Sequence, residues 1–358
     1  MMNEIILKDC EEIYHQNIPW HKLYGKSVLI SGAYGMLASY VTDMLIYLNE
    51  YHDASIKIIA LVRSEGKCRN RFGEYADKPY FLINTSPLDL PMCIDEKVDF
   101  IIHAASLASP RHYSVRPIDV ITPNAIGTYN LLNLAVQNKI EGFLMFSTAS
   151  VYGKTSGVEK ITEDVCGLID PLNIHSCYNE SKRLAETLCK AFAVQKNVPT
   201  KMVRIWHTYA PTMDYKNDPR VFATFVNDIV ERRDIVMKSD GLAKRSFCYI
   251  ADAVVGYFLV LLNGKSGEAY NVCNEGEFYS IVELAEILTK IKSELGLKVI
   301  KKQRDKNDPY LENTMANIVP PCSDKLRGLG WKPKVSVKDG FSRVLEYIDK
   351  VASGGLNE

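Results

Sequence analysis

The sequence predicts a doubly wound parallel α/β fold with a smaller C-terminal α/β lobe, and three observations carry that prediction. Short β-branched apolar runs alternate with helical stretches from Lys26 to Trp206. A glycine turn joins the first such run to the first helix. After about residue 207 the alternation breaks into turn-rich segments such as APTMDYKNDPR. Parallel neighbours need right-handed crossovers, and helices between the strands supply them.

Residues 26–31 (KSVLIS) read as the first strand, ended by Gly32, and a helical pattern follows from Met36 to about Asn49. Further strands are expected at Ile56–Val62, Tyr80–Ile83, Val98–Ile102, Gly142–Phe146 and Thr200–Trp206. The longest crossover helix is expected over Pro117–Asn138, and another over Tyr178–Val194. Shorter helices are expected at about 219–233, 280–295 and 338–352, and a helix near Asp252–Leu262 returns to the sheet. The predicted organisation is therefore an N-terminal extension (1–25), a dinucleotide-binding Rossmann domain (26–206, with a returning segment near 245–270), and a lobe made mainly of 207–358. The extension has a mixed helix-like stretch and is expected to pack against the lobe. The charged run around Lys301–Asp308 reads as a solvated face.

Composition narrows the function. Lys+Arg and Asp+Glu both total 43 in 358 residues, so no net field gathers nucleic acid or an anionic membrane. No apolar run reaches the roughly 18 residues of a membrane span, and the N-terminus is acidic where a secretory leader is basic. A cytoplasmic enzyme of small-molecule chemistry is the expectation. Nine Cys without a C-x-x-C pair suggest neither a disulfide framework nor a zinc site, so no metal is expected and most are read as buried apolar residues.

Gly32-Ala33-Tyr34-Gly35-Met36-Leu37-Ala38 joins strand to helix with spacing G-x-x-G-x-x-A. Such a turn brings backbone close to a pyrophosphate, which the helix N-terminus favours. An NAD site usually ends its second strand on an acid that accepts from the ribose hydroxyls. Here the stretch is Leu61-Val62-Arg63-Ser64. Arg63 either forks a 2′-phosphate, favouring NADP, or is a solvated surface residue.

Tyr178-Asn179-Glu180-Ser181-Lys182 places a phenol and an ammonium four residues apart on one helix face. The ammonium, with a positive nicotinamide, is expected to lower the phenol pKa so that Tyr178 exchanges a proton with a hydroxyl as hydride leaves its carbon. Ser147-Thr148-Ala149-Ser150 closes the fifth strand, at the carboxyl edge where open sheets bind ligands.

With these motifs in order, the chain resembles the extended short-chain dehydrogenase/reductases that modify nucleotide sugars, over nearly all of Lys26 to Lys350. The resemblance implies a Thr148, Tyr178 and Lys182 catalytic set. It implies cofactor contacts from Gly32, Gly35, Met36, Leu37, Ala104, Ala105, Ser106, Asn124, Tyr178 and Lys182, and substrate contacts from Tyr113, Arg220 and Arg245; Arg63 is added as a cofactor contact, and Ser150 and His207 as substrate contacts, where this chain departs from the family's residues. It also implies a homodimer through the helices that carry Asn124 and Tyr178. Within the family, Ala108-Ser109-Pro110-Arg111-His112-Tyr113 and Cys177-Tyr178 through Lys182-Arg183 are similar to the subgroup that decarboxylates UDP-glucuronate. That subgroup and the 4,6-dehydratases carry Glu before Val-Tyr-Gly, where this chain has Ser150. A hydroxyl is no base at neutral pH. The reading therefore puts C4 epimerisation or 4-ketone reduction of a nucleoside-diphosphate hexose first, and decarboxylation or 4,6-dehydration second. NAD(P) is the implied cofactor: Arg63 leans to NADP and the subgroup to NAD. A non-catalytic dinucleotide-binding sensor or scaffold is the rival outside the enzymes.

The other polar residues divide. His207 stands where the family commonly has Asn and either contacts substrate or is packed. His103 is expected to be a satisfied core residue, and Arg220 either meets the nucleotide or is solvated.

Overall fold

The protein was analysed as a computed structural model, which describes residues 2–237, 239–302 and 319–354. Its first half runs α1 (Glu4–Tyr14), β1 (Ser27–Ser31), α2 (Met36–His52), β2 (Lys57–Leu61), α3 (Glu65–Phe72), β3 (Phe81–Asn84), β4 (Phe100–His103), α4 (Pro117–Asn138), β5 (Gly142–Thr148), α5 (Cys177–Lys196) and β6 (Thr200–Ile205). The rest runs β7 (His207–Tyr209), α6 (Val221–Val230), β8 (Ile235–Met237), β9 (Lys244–Tyr249), α7 (Ile250–Asn263), β10 (Glu268–Val272), β11 (Phe278–Ser280), α8 (Ile281–Ile291), β12 (Val299–Lys301), α9 (Asp324–Arg327) and α10 (Val337–Gly354). All six expected strands are present within two residues of their predicted ends.

Seven strands form one parallel sheet in the order β10-β6-β5-β4-β1-β2-β3. The order reverses direction between β1 and β4, which leaves a crevice at their carboxyl ends, where doubly wound folds take ligands. Both faces are covered, so the strands are apolar throughout: β5 (GFLMFST) is buried along its whole length. Helix α2 and the α7 that returns after β9 are buried from Ala38 to Leu48 and from Ile250 to Leu261. A three-stranded β11-β9-β7 sheet and a two-stranded β12-β8 sheet accompany α6 and α8 beyond the crevice.

Three elements depart from expectation. The seventh strand, β10, pairs with β6 although EAYNV is short and bracketed by polar residues. Helix α3 is mostly polar, buries only Cys68 and Phe72, and forms on the Ser64 cap, whose side chain accepts from the Lys67 N–H. The N-terminal extension folds as α1, and its apolar face (Ile5, Ile6, Cys10, Ile13) is buried. It joins the same core cluster as α2 and α7, which flank the sheet, and reaches α10 of the second half through Arg343. Of the charged run expected as a solvated face, Lys301 and Lys302 are exposed and the residues from 303 on lie outside the described residues. Seven of the nine cysteines are buried and all are free. Among the described residues no helix is long and apolar enough to cross a membrane.

Candidate active site

A cavity of about 680 Å³ opens at the carboxyl ends of β1, β4 and β5 and continues towards β7, β9 and α6. Its floor begins at the glycine turn. Gly32 has φ +71°, and a Cβ there would stand 2.9 Å from the Ala105 Cα, so a side chain is excluded by both backbone and space. Gly35 caps α2, and Met36 and Leu37 line the cavity at the first turn of that helix. Unpaired N–H groups at such a terminus suit an anionic diphosphate.

The tips of β1 and β4 are tied by one chain of hydrogen bonds. The amides of Ala104 and Ala105 donate to the Ser31 hydroxyl at 3.1 and 3.2 Å. That hydroxyl meets His103 Nδ1 at 2.7 Å, and His103 Nε2 meets the Pro123 carbonyl at 3.1 Å. A carbonyl only accepts, so Nε2 carries the ring proton and Nδ1 accepts from Ser31. Burial, with the charge of Lys182, pushes His103 down to about 3 and keeps it neutral. His103 is the satisfied core residue expected of it. Ser106, in the following loop, lines the cavity with a buried hydroxyl that lacks a protein partner.

Thr148, Tyr178 and Lys182 meet on the same wall. Thr148 ends β5, and its hydroxyl accepts from the Ser150 amide at 3.2 Å. Tyr178 opens α5 and is buried, with the Tyr113 ring stacked on it at 5.2 Å and 12°. Lys182, one turn on, is 2% exposed and donates to the Phe146 carbonyl at 2.7 Å. One electrostatic expectation needs correction. Burial pushes the Tyr178 phenol up, while a hydrogen bond to Thr148 and the charge of Arg220 pull it back. The Lys182 ammonium is turned to the β5 carbonyl and is itself brought down by burial, to about 7.

Tyr113, His207, Arg220 and Arg245 also line the cavity, and Ser150 does so beside Thr148. Arg220 is bidentate with Asp218, Nε to Oδ1 at 2.9 Å and Nη2 to Oδ2 at 2.8 Å, which holds the guanidinium in place. His207 Nδ1 is buried without a partner, and burial followed by the charges of Arg245 and Arg220 takes the ring down to about 3. Of the expected cofactor residues, Gly32, Ala105, Arg63 and Asn124 do not line the cavity. Gly32 and Ala105 shape the turn beneath it, and Arg63 is exposed at the tip of β2. Asn124 is fully buried between helices, donating to the Val120 carbonyl at 2.9 Å and to Ser181 Oγ at 3.1 Å, while its Oδ1 has no protein partner. Sequence reasoning missed Trp206, Met213, Asp218 and Phe222, all of which line the cavity. Asp218, two residues before Arg220, was the one with a local signal.

The chain matches the NAD dependent epimerase/dehydratase family over residues 28–273. It belongs to that family. The NAD(P) chemistry of these enzymes fits the glycine turn and the unpartnered Ser106 hydroxyl above it. Among proteins similar to this family member, UDP-glucuronic acid decarboxylase 6 of Arabidopsis thaliana is 32% identical over 315 residues, 88% of this chain and 86% of that protein. UDP-glucuronic acid decarboxylase 1 of Xenopus tropicalis is 30% identical over 326 residues, covering 91% of this chain and 72% of the other. In fold it is similar to UDP-glucose 4-epimerase of Thermotoga maritima with UDP-glucose, at a TM-score of 0.74 and 20% identity over 91% of this chain and 99% of that one. UDP-glucuronic acid 4-epimerase of Bacillus cereus, with UDP-glucuronic acid and NAD, gives 0.72 and 22% at the same coverage.

Proposed function

We propose that this enzyme oxidises C4 of UDP-glucuronate and releases carbon dioxide from the resulting 4-ketone. The observation that carries the reading is that Thr148, Tyr178 and Lys182 line a single cavity together with Arg220 and Arg245. A hydroxyl, a phenol and an ammonium serve proton movement at one sugar carbon, and two guanidiniums suit a diphosphate and a carboxylate. When bound, NAD(P) supplies a hydride acceptor at C4. Thr148 orients the C4 oxygen, Tyr178 holds and moves its proton, and Lys182 anchors the ribose and sets the local charge.

The likeness to UDP-glucuronic acid decarboxylases supports decarboxylation over the epimerase or ketoreductase that Ser150 first suggested. Chemistry reconciles the two. Oxidation at C4 makes a β-keto acid, and the C5–C6 bond then breaks with its electron pair drawn into the C4 carbonyl. No base removes a proton from carbon in that step. A 4,6-dehydration does require one, so the missing carboxylate weighs against dehydration far more than against decarboxylation. Tyr178 protonates the C4 oxygen of the enolate, and a proton returned to C5 at the Thr148–Ser150 rim regenerates the ketone. A second reading, C4 epimerisation, keeps the support of Ser150.

At the cofactor, the lack of an acid at the tip of β2, where Val62 and Arg63 stand, favours NADP. The enzyme is a homodimer in this reading, through α4 and α5. Incubation with UDP-glucuronate and either dinucleotide, followed by product mass, tests the function. Loss of carbon dioxide is expected, and Tyr178→Phe should retain dinucleotide and lose turnover by about a thousandfold. An isomer of unchanged mass selects the second reading. Full turnover in Tyr178→Phe, or no conversion of any nucleotide hexose, overturns both.

A further inference from the structure

Behind the cavity wall, one buried polar frame joins the elements that present the site. Glu186 lies one turn past Lys182 and two past Tyr178, so the three share a face of α5. Its carboxylate accepts the Arg204 fork from β6, Nε at 3.0 Å and Nη2 at 2.8 Å, and the hydroxyl of Ser147, the β5 residue before Thr148, at 2.5 Å. Arg204 Nη1 donates to the Glu163 carbonyl at 2.7 Å, and its guanidinium lies 4.8 Å over the Tyr152 ring. Asn271 Oδ1, on β10, accepts from Tyr152 at 2.7 Å and from Trp206 at 3.1 Å, the residue before His207. Asn271 Nδ2 is satisfied in turn by the carbonyls of Ile161 and Cys322, at 3.0 Å each.

The Glu186 and Arg204 side chains are only 12% and 14% exposed. For stability alone, a packed apolar pair serves such a position as well as an ion pair. A bidentate fork does fix orientation, and it does so between the helix that carries Tyr178 and the strands that end at Thr148 and His207. Within electrostatic reach of Lys182 stand Glu186 and Cys189 from α5 and His103 from β4, and Tyr178 lies one turn before it on the same helix face. Tyr178 is a phenol, His103 is neutral, and burial pushes the Cys189 thiol far up, so Glu186 is the one anion of that group at neutral pH.

We propose that Glu186 is a positioning residue for the C4 step: it fixes the roll of α5, with Tyr178 and Lys182 on it, against β5 and β6, and sets a negative charge one helical turn from the Lys182 ammonium. The inference rests on the C4 reading of the site. Its test compares Glu186→Gln, which is isosteric and uncharged, with Glu186→Asp, which keeps the charge. Single-turnover formation of reduced nicotinamide is followed from about pH 6 to about pH 10, using whichever nucleotide hexose the unmodified enzyme oxidises. A wrong sugar then shows in the unmodified enzyme, not in the variants. The NAD(P) dissociation constant over the same range, with no sugar present, repeats the comparison independently of substrate. In Glu186→Gln the alkaline limb should move down by about one pH unit and the rate fall about tenfold, with KM within about threefold. Glu186→Asp should hold the limb in place. Should Glu186→Gln melt before assay temperature, the neutral pair Glu186→Gln/Arg204→Gln replaces it with the same expected shift. An unmoved limb in the uncharged variant, or a loss confined to KM, overturns the proposal.

Discussion

Arg63 follows β2 at the point where a dinucleotide fold meets the adenosine ribose, and it is exposed. It does not act alone in charge. His112 is pushed down by burial and then by Arg111, Arg116 and Arg63, which places Arg63 within electrostatic reach of the cations after β4. A 2′-phosphate entering there meets several positive groups and no carboxylate at the strand tip. Arg63→Ala should therefore weaken NADP by about tenfold or more, the worth of one charge-assisted hydrogen bond, and leave NAD within about twofold. Titration calorimetry with each dinucleotide reads both numbers, and equal weakening of the two would assign Arg63 to the solvated surface. At this scale the sequence spoke clearly where chemistry is local: Gly32, Thr148, Tyr178 and Lys182 announce themselves by spacing. It was silent on the pairing of Glu186 with Arg204, which lie 18 residues apart on different elements and meet only once β6 pairs beside β5.

Element boundaries followed periodicity where the elements were long or uniformly apolar, as in α4, α5 and β1 to β6. The strands not expected from the sequence, β7 to β12, are three to six residues long, and tertiary pairing rather than pattern makes them strands. Helices α4 and α5 also carry a feature that the fold leaves unused. Ile118, Ile126, Tyr129 and Val136 form an exposed stripe along α4 at spacings close to the helical repeat, and Leu184 and Val194 are exposed on the adjacent α5. Apolar faces of this extent on two packed helices are the surface expected of a four-helix interface between two copies. A charge at its centre should break it. Ile126→Arg and Leu184→Glu are each predicted to shift the protein from dimer to monomer in light scattering at micromolar concentration while leaving the far-ultraviolet spectrum unchanged. A monomeric unmodified protein, or variants that remain dimeric, would place the contact elsewhere.

Across the whole molecule, the N-terminal helix closes a knot between distant parts of the chain. Asp9 on α1 is fully buried, and its Oδ2 accepts from Tyr40 of α2 at 3.1 Å and from Tyr249 of β9 at 2.7 Å. Its Oδ1 takes Arg343 of α10 at 2.5 Å, and Arg343 also forks onto Glu12 at 2.8 and 3.0 Å. Strand β9 carries Arg245 and Phe247 into the cavity, so the knot bears on the substrate wall as well as on stability. Burial raises Asp9 to about 6, against the opposing hydrogen bonds of Tyr249, Arg343 and Tyr40 and the charge of Arg343. In the unfolded chain an Asp titrates near 3.9. Between those values the folded state holds a proton that the unfolded state has lost, so the stabilisation from Asp9 is complete below about pH 4 and falls away as pH rises through about 6. Asp9→Asn cannot titrate and removes that dependence. The stability gap between unmodified protein and Asp9→Asn should therefore be widest near pH 4 and narrow by on the order of 2–3 kcal/mol by pH 7, several degrees in melting temperature. Parallel thermal melts from about pH 4 to pH 7 measure the gap, and a gap that stays constant or widens with pH would mean that Arg343 and the two tyrosines outweigh burial and hold Asp9 ionised throughout.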